Sequence, residues 1–398
     1  MPATALLRSD SLSEHSFVSG AARSRLARPP QLATLLVGVG LLMFAFGSTS
    51  DAQAQTEGPS LRDTRRPVQV AIDPTYQYYE TSNGQVLTQL STWLTAVVPV
   101  TQQLTVQARA GYARMGGDGL LQIRGPTDVV GKVTYARQLA DASVVLSVAA
   151  NAPTGKQELT TQELQTTRPI SQNFYDFRVT SFSRGLSVSP QVTVAYPITD
   201  RFAVGIGGGY QYQGGFRPQA SLESDYVPGN GIGVNAGADY KITNSSALGI
   251  DIAYRRYGED TVGGTPQFEA GSRMAGTLRY LLRSQFTTVR AVLRYARWEE
   301  SKFGLRGGQL QRQGQILPPH GLALVSYQTR LMEGVRVSAR LSGHVYRETI
   351  SGGQKSFGRA YVAPSFEIGE LVTIEPHGTF TYGSYLGLGG GVRVAGSF

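Results

Sequence analysis

Cysteine is absent from the 398 residues. That excludes disulfide staples, thiolate metal sites and cysteine nucleophiles, and is compatible with passage through an oxidising compartment. Histidine is scarce: His15, His320, His344 and His377 are widely scattered, with no pair at metal-ligand spacing. No metal, cofactor or nucleic-acid partner is therefore expected. Charge is also sparse, at 16% of residues, against roughly 25% in a typical soluble domain. Long apolar runs are missing outside residues 32–46, so no later segment reaches the roughly 20 residues a membrane helix needs.

What is present is glycine and tyrosine. There are 48 Gly, and the 20 Tyr outnumber the 15 Phe and 2 Trp together. Mean hydropathy is −0.16. Glycine and tyrosine enrichment without long apolar runs fits a barrel wall with aromatic girdles. Near the N-terminus, Arg23, Arg25 and Arg28 precede the apolar run Leu32 to Phe46, and small and polar residues lead to Ala52-Gln53-Ala54. A basic stretch, an apolar stretch and an A-x-A site read as a secretory signal over residues 1–54, cut after Ala54. Its removal takes four arginines and three acids and leaves a net charge of +8. Residues 55–67 form a short periplasmic segment, and 68–398 the remaining domain.

In that domain apolar residues recur at every second position, the period of a strand with two unlike faces. Val335, Val337, Ala339, Leu341, Gly343 and Val345 alternate with Arg336, Ser338, Arg340, Ser342, His344 and Tyr346. The helical period does not compete after residue 68. Short turns fall near Thr101, Ala140, Thr199, Thr243, Gln285, Met332 and Gly369, with longer polar stretches between them at 114–125, 153–180, 213–229, 258–267, 299–319 and 348–358. Short turns on one side and long loops on the other are the asymmetry of an outer-membrane barrel. The expected fold is all-β: a transmembrane antiparallel up-and-down barrel of about 16 strands, or 14 if one pair is misread. The sixteen strands are placed near 68–79, 86–98, 103–113, 126–138, 143–152, 182–196, 201–213, 230–241, 246–257, 268–283, 286–298, 320–330, 335–347, 359–368, 371–382 and 385–398. The even count puts both termini in the periplasm.

Lipid satisfies no backbone polar groups, so the sheet must close, with apolar faces to lipid and polar faces to the lumen. This register turns Arg109, Lys132, Arg255, Arg273, Arg279, Arg290, Arg294, Arg336, Arg340, His344 and Arg393 inward. Asp73, Asp239, Asp251, Glu269, Glu367 and Glu375 are the acids on the same face. An arginine facing lipid at mid-depth costs roughly 2–4 kcal/mol. A basic lumen draws in anions, unless the arginines are consumed in ion pairs across neighbouring strands. The triplets Gly207–Gly209 and Gly389–Gly391 lie inside strand patterns with no helix after them, so they are not phosphate loops; they fit sheet curvature or a close approach.

The stretch Asn151-Ala152-Pro153-Thr154-Gly155-Lys156 ends a strand and opens the longest loop. Its Pro153-Thr154-Gly155 resembles the Pro-Thr-Gly motif of outer-membrane proteins grouped with the meta-pathway of phenol degradation, a transporter-like family of barrels. Over 68–398 the likeness is one of architecture. The resemblance implies uptake of small organic, including aromatic, compounds and identifies no substrate residues. The terminal strand, with Leu386, Leu388, Val392, Val394 and Phe398 on one face, resembles the strand read by the barrel-assembly machinery.

The expected function is thus a non-enzymatic channel of the outer membrane for small organic solutes, anionic or aromatic. Loop 153–180, with Lys156, Arg168 and Arg178 against Glu158, Glu163 and Asp176, is the candidate constriction. Its expected partners are outer-membrane lipid and lipopolysaccharide, the assembly machinery and the permeating solutes. The alternative is a barrel enzyme of lipase, deacylase or protease type, for which Ser342 with His344, or Glu375 with His377, would supply a base and its partner; a structural barrel is the third reading. Deleting Phe398 should leave the chain unassembled in the periplasm, read as loss of the heat-modifiable folded band in the outer-membrane fraction. Unchanged assembly would remove the terminal residue from the signal.

Overall fold

The computed structural model describes residues 67–398 except 171–174, 221, 305–309, 315–317 and 349–352. The expected signal segment 1–54 and all but residue 67 of the expected periplasmic segment 55–67 lie outside the described residues. Sixteen long strands follow one another: β1 (Gln69–Thr81), β2 (Val86–Pro99), β3 (Leu104–Gly117), β4 (Val129–Leu139), β5 (Ala142–Ala152), β6 (Ser187–Pro197), β7 (Phe202–Gln213), β8 (Gly231–Lys241), β9 (Ser246–Tyr257), β10 (Arg273–Arg283), β11 (Thr287–Trp298), β12 (His320–Met332), β13 (Val335–Tyr346), β14 (Lys355–Ile368), β15 (Val372–Gly383) and β16 (Tyr385–Ser397). Each pairs antiparallel with its neighbours in sequence, from β1–β2 through β15–β16. The sheet then closes: β16 pairs with β1 from Gln69↔Ser397 to Thr81↔Tyr385, and Val68 and Phe398 exchange two 2.9 Å backbone bonds beyond it. Sixteen, not fourteen, is the strand number.

Closure leaves no edge for lipid to meet. The outer wall is apolar: Ile206, Ile232, Val234, Ile250, Leu293 and Leu341 are all exposed on it. Tyrosines stand near the strand ends on both sides, Tyr196 and Tyr240 beside the short turns and Tyr254, Tyr295 and Tyr382 beside the loops, forming the two interfacial girdles of an outer-membrane barrel. Outward arginines are confined to the ends. Arg256 and Arg297 are each one residue from the end of their strand, where the penalty for a charge falls to about 0–1 kcal/mol.

Three sequence expectations change. Residues 114–125 are not a loop: β3 runs on to Gly117 and pairs with Leu120–Pro126 as a hairpin. The strand expected over 268–283 is two pieces. Thr265–Glu269 pairs with Glu259–Val262 and Ser301–Gly304 in a separate small sheet beyond the loop-side rim, and the barrel strand begins at Arg273. Glu269 therefore bonds Lys302 at 2.6 Å in that sheet and does not line the lumen wall. The break sits at Ala270-Gly271-Ser272, where a side chain on Gly271 would lie 2.1 Å from the Glu299 carbonyl. Third, a helix is present, α1 (Thr161–Ile170). Thr160 caps it: the Thr160 hydroxyl accepts from Glu163 N–H (3.2 Å) and the Glu163 carboxylate accepts from Thr160 N–H (3.0 Å). This Thr-x-x-Glu box satisfies two orphan donors reciprocally.

The topology predicts opposite accessibility for the two ends. An epitope inserted at Gly264, the turn between the two outer hairpin strands, should be reached by antibody on intact cells. One at Thr243, in the β8–β9 turn, should be reached only after the outer membrane is permeabilised.

Candidate functional site

All the expected basic residues face inward, because register partners share a face and the faces alternate. Arg109 stacks over Trp93 at 3.8 Å, and Lys132 shares its face two rungs away on β4. Arg255 and Arg273 are direct register partners on β9 and β10. Arg279 follows on β10, Arg290 and Arg294 on β11, and Arg336, Arg340 and His344 on β13. Arg393 on β16 faces Glu375 in register. The inner faces of β9–β13 thus carry seven of the expected arginines against one acid of those strands, Asp251.

Some of this charge is compensated. Arg279 meets Asp251 at 2.7 Å and Asp239 at 3.2 Å. Arg336 pairs with Glu367 near the short-turn end, which reduces its value as a selectivity residue. Arginines also sit over inward aromatics: Arg273 over Trp298 (5.1 Å), Arg255 over Tyr257 (5.9 Å) and Arg340 over Tyr361 (5.7 Å). Both tryptophans of the chain face the lumen and take no part in the girdles, held there by these cation–π contacts.

The opposite wall is covered. After α1, residues 175–182 run inside the barrel along β1 and β2, which stand eight places round the ring from β9 and β10. Two inward glutamines grip this segment as a strand would. Gln77 donates to the Asp176 carbonyl (3.0 Å) and accepts from Arg178 N–H (2.8 Å). Gln89 donates to the Val179 carbonyl (2.7 Å) and accepts from Val179 N–H (2.8 Å). Arg178 is buried against Asp73 and Thr75, and Asp176 pairs with Arg359 on β14. Between these polar clamps, Phe177, Val179 and Phe182 pack with Tyr79, Leu87, Met115, Ile123, Phe357 and Tyr385 in an apolar core inside the barrel. Burial of each such ring contributes roughly 1.5–3 kcal/mol. Packing also raises the Tyr175 hydroxyl pKa through burial.

The Pro-Thr-Gly stretch is the hinge of this infolded loop. Asp128, buried at the start of β4, accepts from Gly155 N–H (2.9 Å), Asn151 Nδ2 (2.7 Å) and Arg184 N–H (2.8 Å). One carboxylate therefore ties the outgoing and returning ends of the loop together. Thr154 Oγ1 accepts from Val129 N–H at 2.9 Å, and the Pro153 carbonyl accepts from Gln157 at 2.6 Å. Position 155 has to be glycine: a Cβ there would stand 2.0 Å from the Phe182 carbonyl oxygen. Next along, Lys156 pairs with Glu163. Burial pushes the Glu163 carboxyl up, but the Lys156 ammonium and the Thr160 N–H outweigh it and hold it below the usual carboxylate range. Arg168, also expected in this loop, has its side chain outside the described residues. Gly391 likewise marks a close approach, its Cβ position 2.3 Å from the Pro74 carbonyl.

Sequence reading missed Asp128, Gln77 and Gln89. The glutamines look like ordinary inward polar residues, and nothing local says that they hold a segment about 90–100 positions away. Asp128→Ala strands three donors, each worth roughly 1.5–3 kcal/mol when bonded to a charged group. The folded barrel should survive as a heat-modifiable band, while limited proteolysis between 175 and 186 accelerates more than tenfold. An unchanged cleavage rate would mean that the inner segment is held by Gln77 and Gln89 without Asp128.

No family model and no curated protein matches the chain. Among solved structures it is similar to an outer membrane channel from Pseudomonas putida F1, with 12% identity over 85% of this chain and 99% of that one, and a TM-score of 0.39. The monoaromatic hydrocarbon channel CymD is similar at 10% identity over 84% and 89%, TM-score 0.42. Acinetobacter baumannii OccAB4 is similar at 9% over 85% and 100%, TM-score 0.42. The likeness is one of barrel architecture.

Proposed function

We propose that this barrel is a passive channel of the outer membrane that admits small organic anions. The observation that carries the reading is the arrangement across the lumen. Residues 175–182 are clamped on the β1–β2 wall, and Arg255, Arg273, Arg279, Arg290, Arg294 and Arg340 stand on the wall opposite. Permeation needs no bond chemistry. An anion leaving water for the narrowed section finds guanidinium groups that replace part of its hydration, while a cation meets a positive field. Arg255 and Arg273, like charges directly opposite in register, repel unless an anion or carboxylate lies near them. Arg255, Arg290 and Arg294 are half-buried on the inner faces of β9–β11.

The resemblance of Pro153-Thr154-Gly155 adds aromatic compounds to the solutes this reading favours. The reading also includes export by the 1–54 signal, insertion by the assembly machinery through the strand ending at Phe398, and an outer wall in contact with lipid and lipopolysaccharide.

In planar bilayers the purified protein should show anion-selective reversal potentials, with the preference weakening at high salt as the screening length falls from about 10 Å at 0.1 M to 3 Å at 1 M. Arg290→Gln/Arg294→Gln should shift the reversal potential toward cations, and Arg336→Gln/Arg340→Gln should shift it less, because Glu367 already offsets Arg336. Cation selectivity in the unaltered protein would overturn the assignment of the basic wall.

A further inference from the structure

Pairing β12 with β13 assembles a cluster that the channel reading does not use. Ser342 and His344, two residues apart on the inner face of β13, are joined by a 3.0 Å contact between Ser342 Oγ and His344 Nε2. His344 Nδ1 lies 3.4 Å from Nε2 of His320 at the start of β12. The two imidazoles are within 14° of a common plane with centroids 5.6 Å apart, the disposition of rings joined edge to edge through their nitrogens. Each is fixed by an aromatic face. His320 stacks on Tyr346 at 4.2 Å and 12°, and His344 on Phe357 at 4.6 Å and 13°. Both partner rings are buried in the lumen core.

We propose that Ser342, His344 and His320 form a hydrolytic relay acting on small carboxylic esters that enter the loop-side half of the lumen. The order is nucleophile, base and orienter. With the proton on Nδ1, His344 donates to His320 Nε2 and presents the bare Nε2 lone pair to the Ser342 hydroxyl, the tautomer that a general base requires. The register supplies the rest of the site. Ser342 has Arg359 of β14 and Leu324 of β12 as its cross-strand register neighbours, a basic residue on one side and an apolar one on the other. Arg359 is itself positioned by Thr381 (3.1 Å) and by Asp176 of the inner segment. A fixed positive group beside the attacked carbonyl stabilises the developing oxyanion.

Ser342 Oγ adds to the ester carbonyl carbon as its proton passes to His344 Nε2. The carbon–oxygen bond to the alcohol breaks, and His344 returns the proton to the departing alkoxide. Water then attacks the acyl-serine by the same route, giving its proton to His344, and the carboxylic acid leaves with Ser342 restored. Water is the one co-reactant, and no change of oxidation state occurs. Within the relay His320 meets His344 and not Ser342, so it is a positioning residue. This inference stands apart from the channel reading, because conductance and ester hydrolysis are measured separately on one preparation.

The test uses the full-length protein folded in detergent, with folding of every variant checked by its heat-modifiable band. The probes are a fluorophosphonate and p-nitrophenyl acetate. The expected result is a fluorophosphonate adduct mapped to Ser342 by peptide mass spectrometry, absent in Ser342→Ala, with ester turnover falling at least 100-fold in Ser342→Ala and in His344→Gln. His320→Phe keeps a ring on Tyr346 but removes the acceptor. It should lower kcat with little change in KM and displace the rising limb of the pH–rate profile, while His320→Gln, whose amide oxygen can accept from Nδ1, recovers part of the rate. No adduct at Ser342 in the folded protein, labelling that persists at the same rate in His344→Gln, or a pH profile untouched in His320→Phe would overturn the relay.

Discussion

Every backbone N–H and C=O at membrane depth must be paired within the protein, because the hydrocarbon layer offers no partner. The β1–β16 pairing meets that demand, and the remaining features follow from it. A closed sheet has an inside and an outside, and strict alternation along each strand assigns every residue to one of them. Apolar side chains can then be spent on lipid, and the inner face is left to polar and charged groups that would be intolerable outside. The lumen can collect many arginines because the wall that carries them is already fully hydrogen-bonded without their help.

A polar lumen of this size creates its own problem, which is how to hold a chain segment inside it. The solution is a second, miniature strand pairing made by side chains. Gln77 and Gln89 offer amide groups that reproduce the donor and acceptor of a neighbouring backbone, and Asp73 and Arg359 hold the charged side chains of the segment. The apolar residues Phe177, Val179 and Phe182 turn to the wall and find Tyr79, Leu87 and Tyr385, so the loop is fastened by the same division of polar and apolar contacts as a soluble core. Asp128 closes the excursion at its base by bonding both ends. The covered wall and the basic wall are therefore different in kind, one packed and neutralised, the other partly hydrated and positively charged.

The inner faces are unlike at finer scale too. Charge pairs such as Arg279 with Asp239 and Asp251 brace adjacent strands, and other guanidinium groups lie over the ring faces of Trp93, Tyr361 and Trp298. A concavity of about 700 Å³ at the bare backbone of Gly343 and Gly358 is on the lipid-facing side of this wall and is separate from the lumen.

The sequence by itself determined the barrel. Period-two alternation, the rhythm of short turns and the penalty for a lipid-facing charge narrowed the strand number to sixteen or fourteen, placed most strands to within a few residues, and turned inward the nine arginines assigned to the lumen, from Arg109 to Arg393. These are local quantities, and a strand's two faces can be read without knowing its neighbours. The helix α1 escapes that pattern, because its ten residues are too short to compete with the surrounding alternation. What only the tertiary structure decided is which inward residues meet. Gln77 and Asp176, Arg359 and Asp176, Arg336 and Glu367, and His320 and His344 are brought together by closure, register and the path of one infolded loop, none of which leaves a periodic trace along the chain. The break at Gly271 that moves Glu269 into the outer sheet has the same origin: its cause is the approach of Glu299, some thirty residues away.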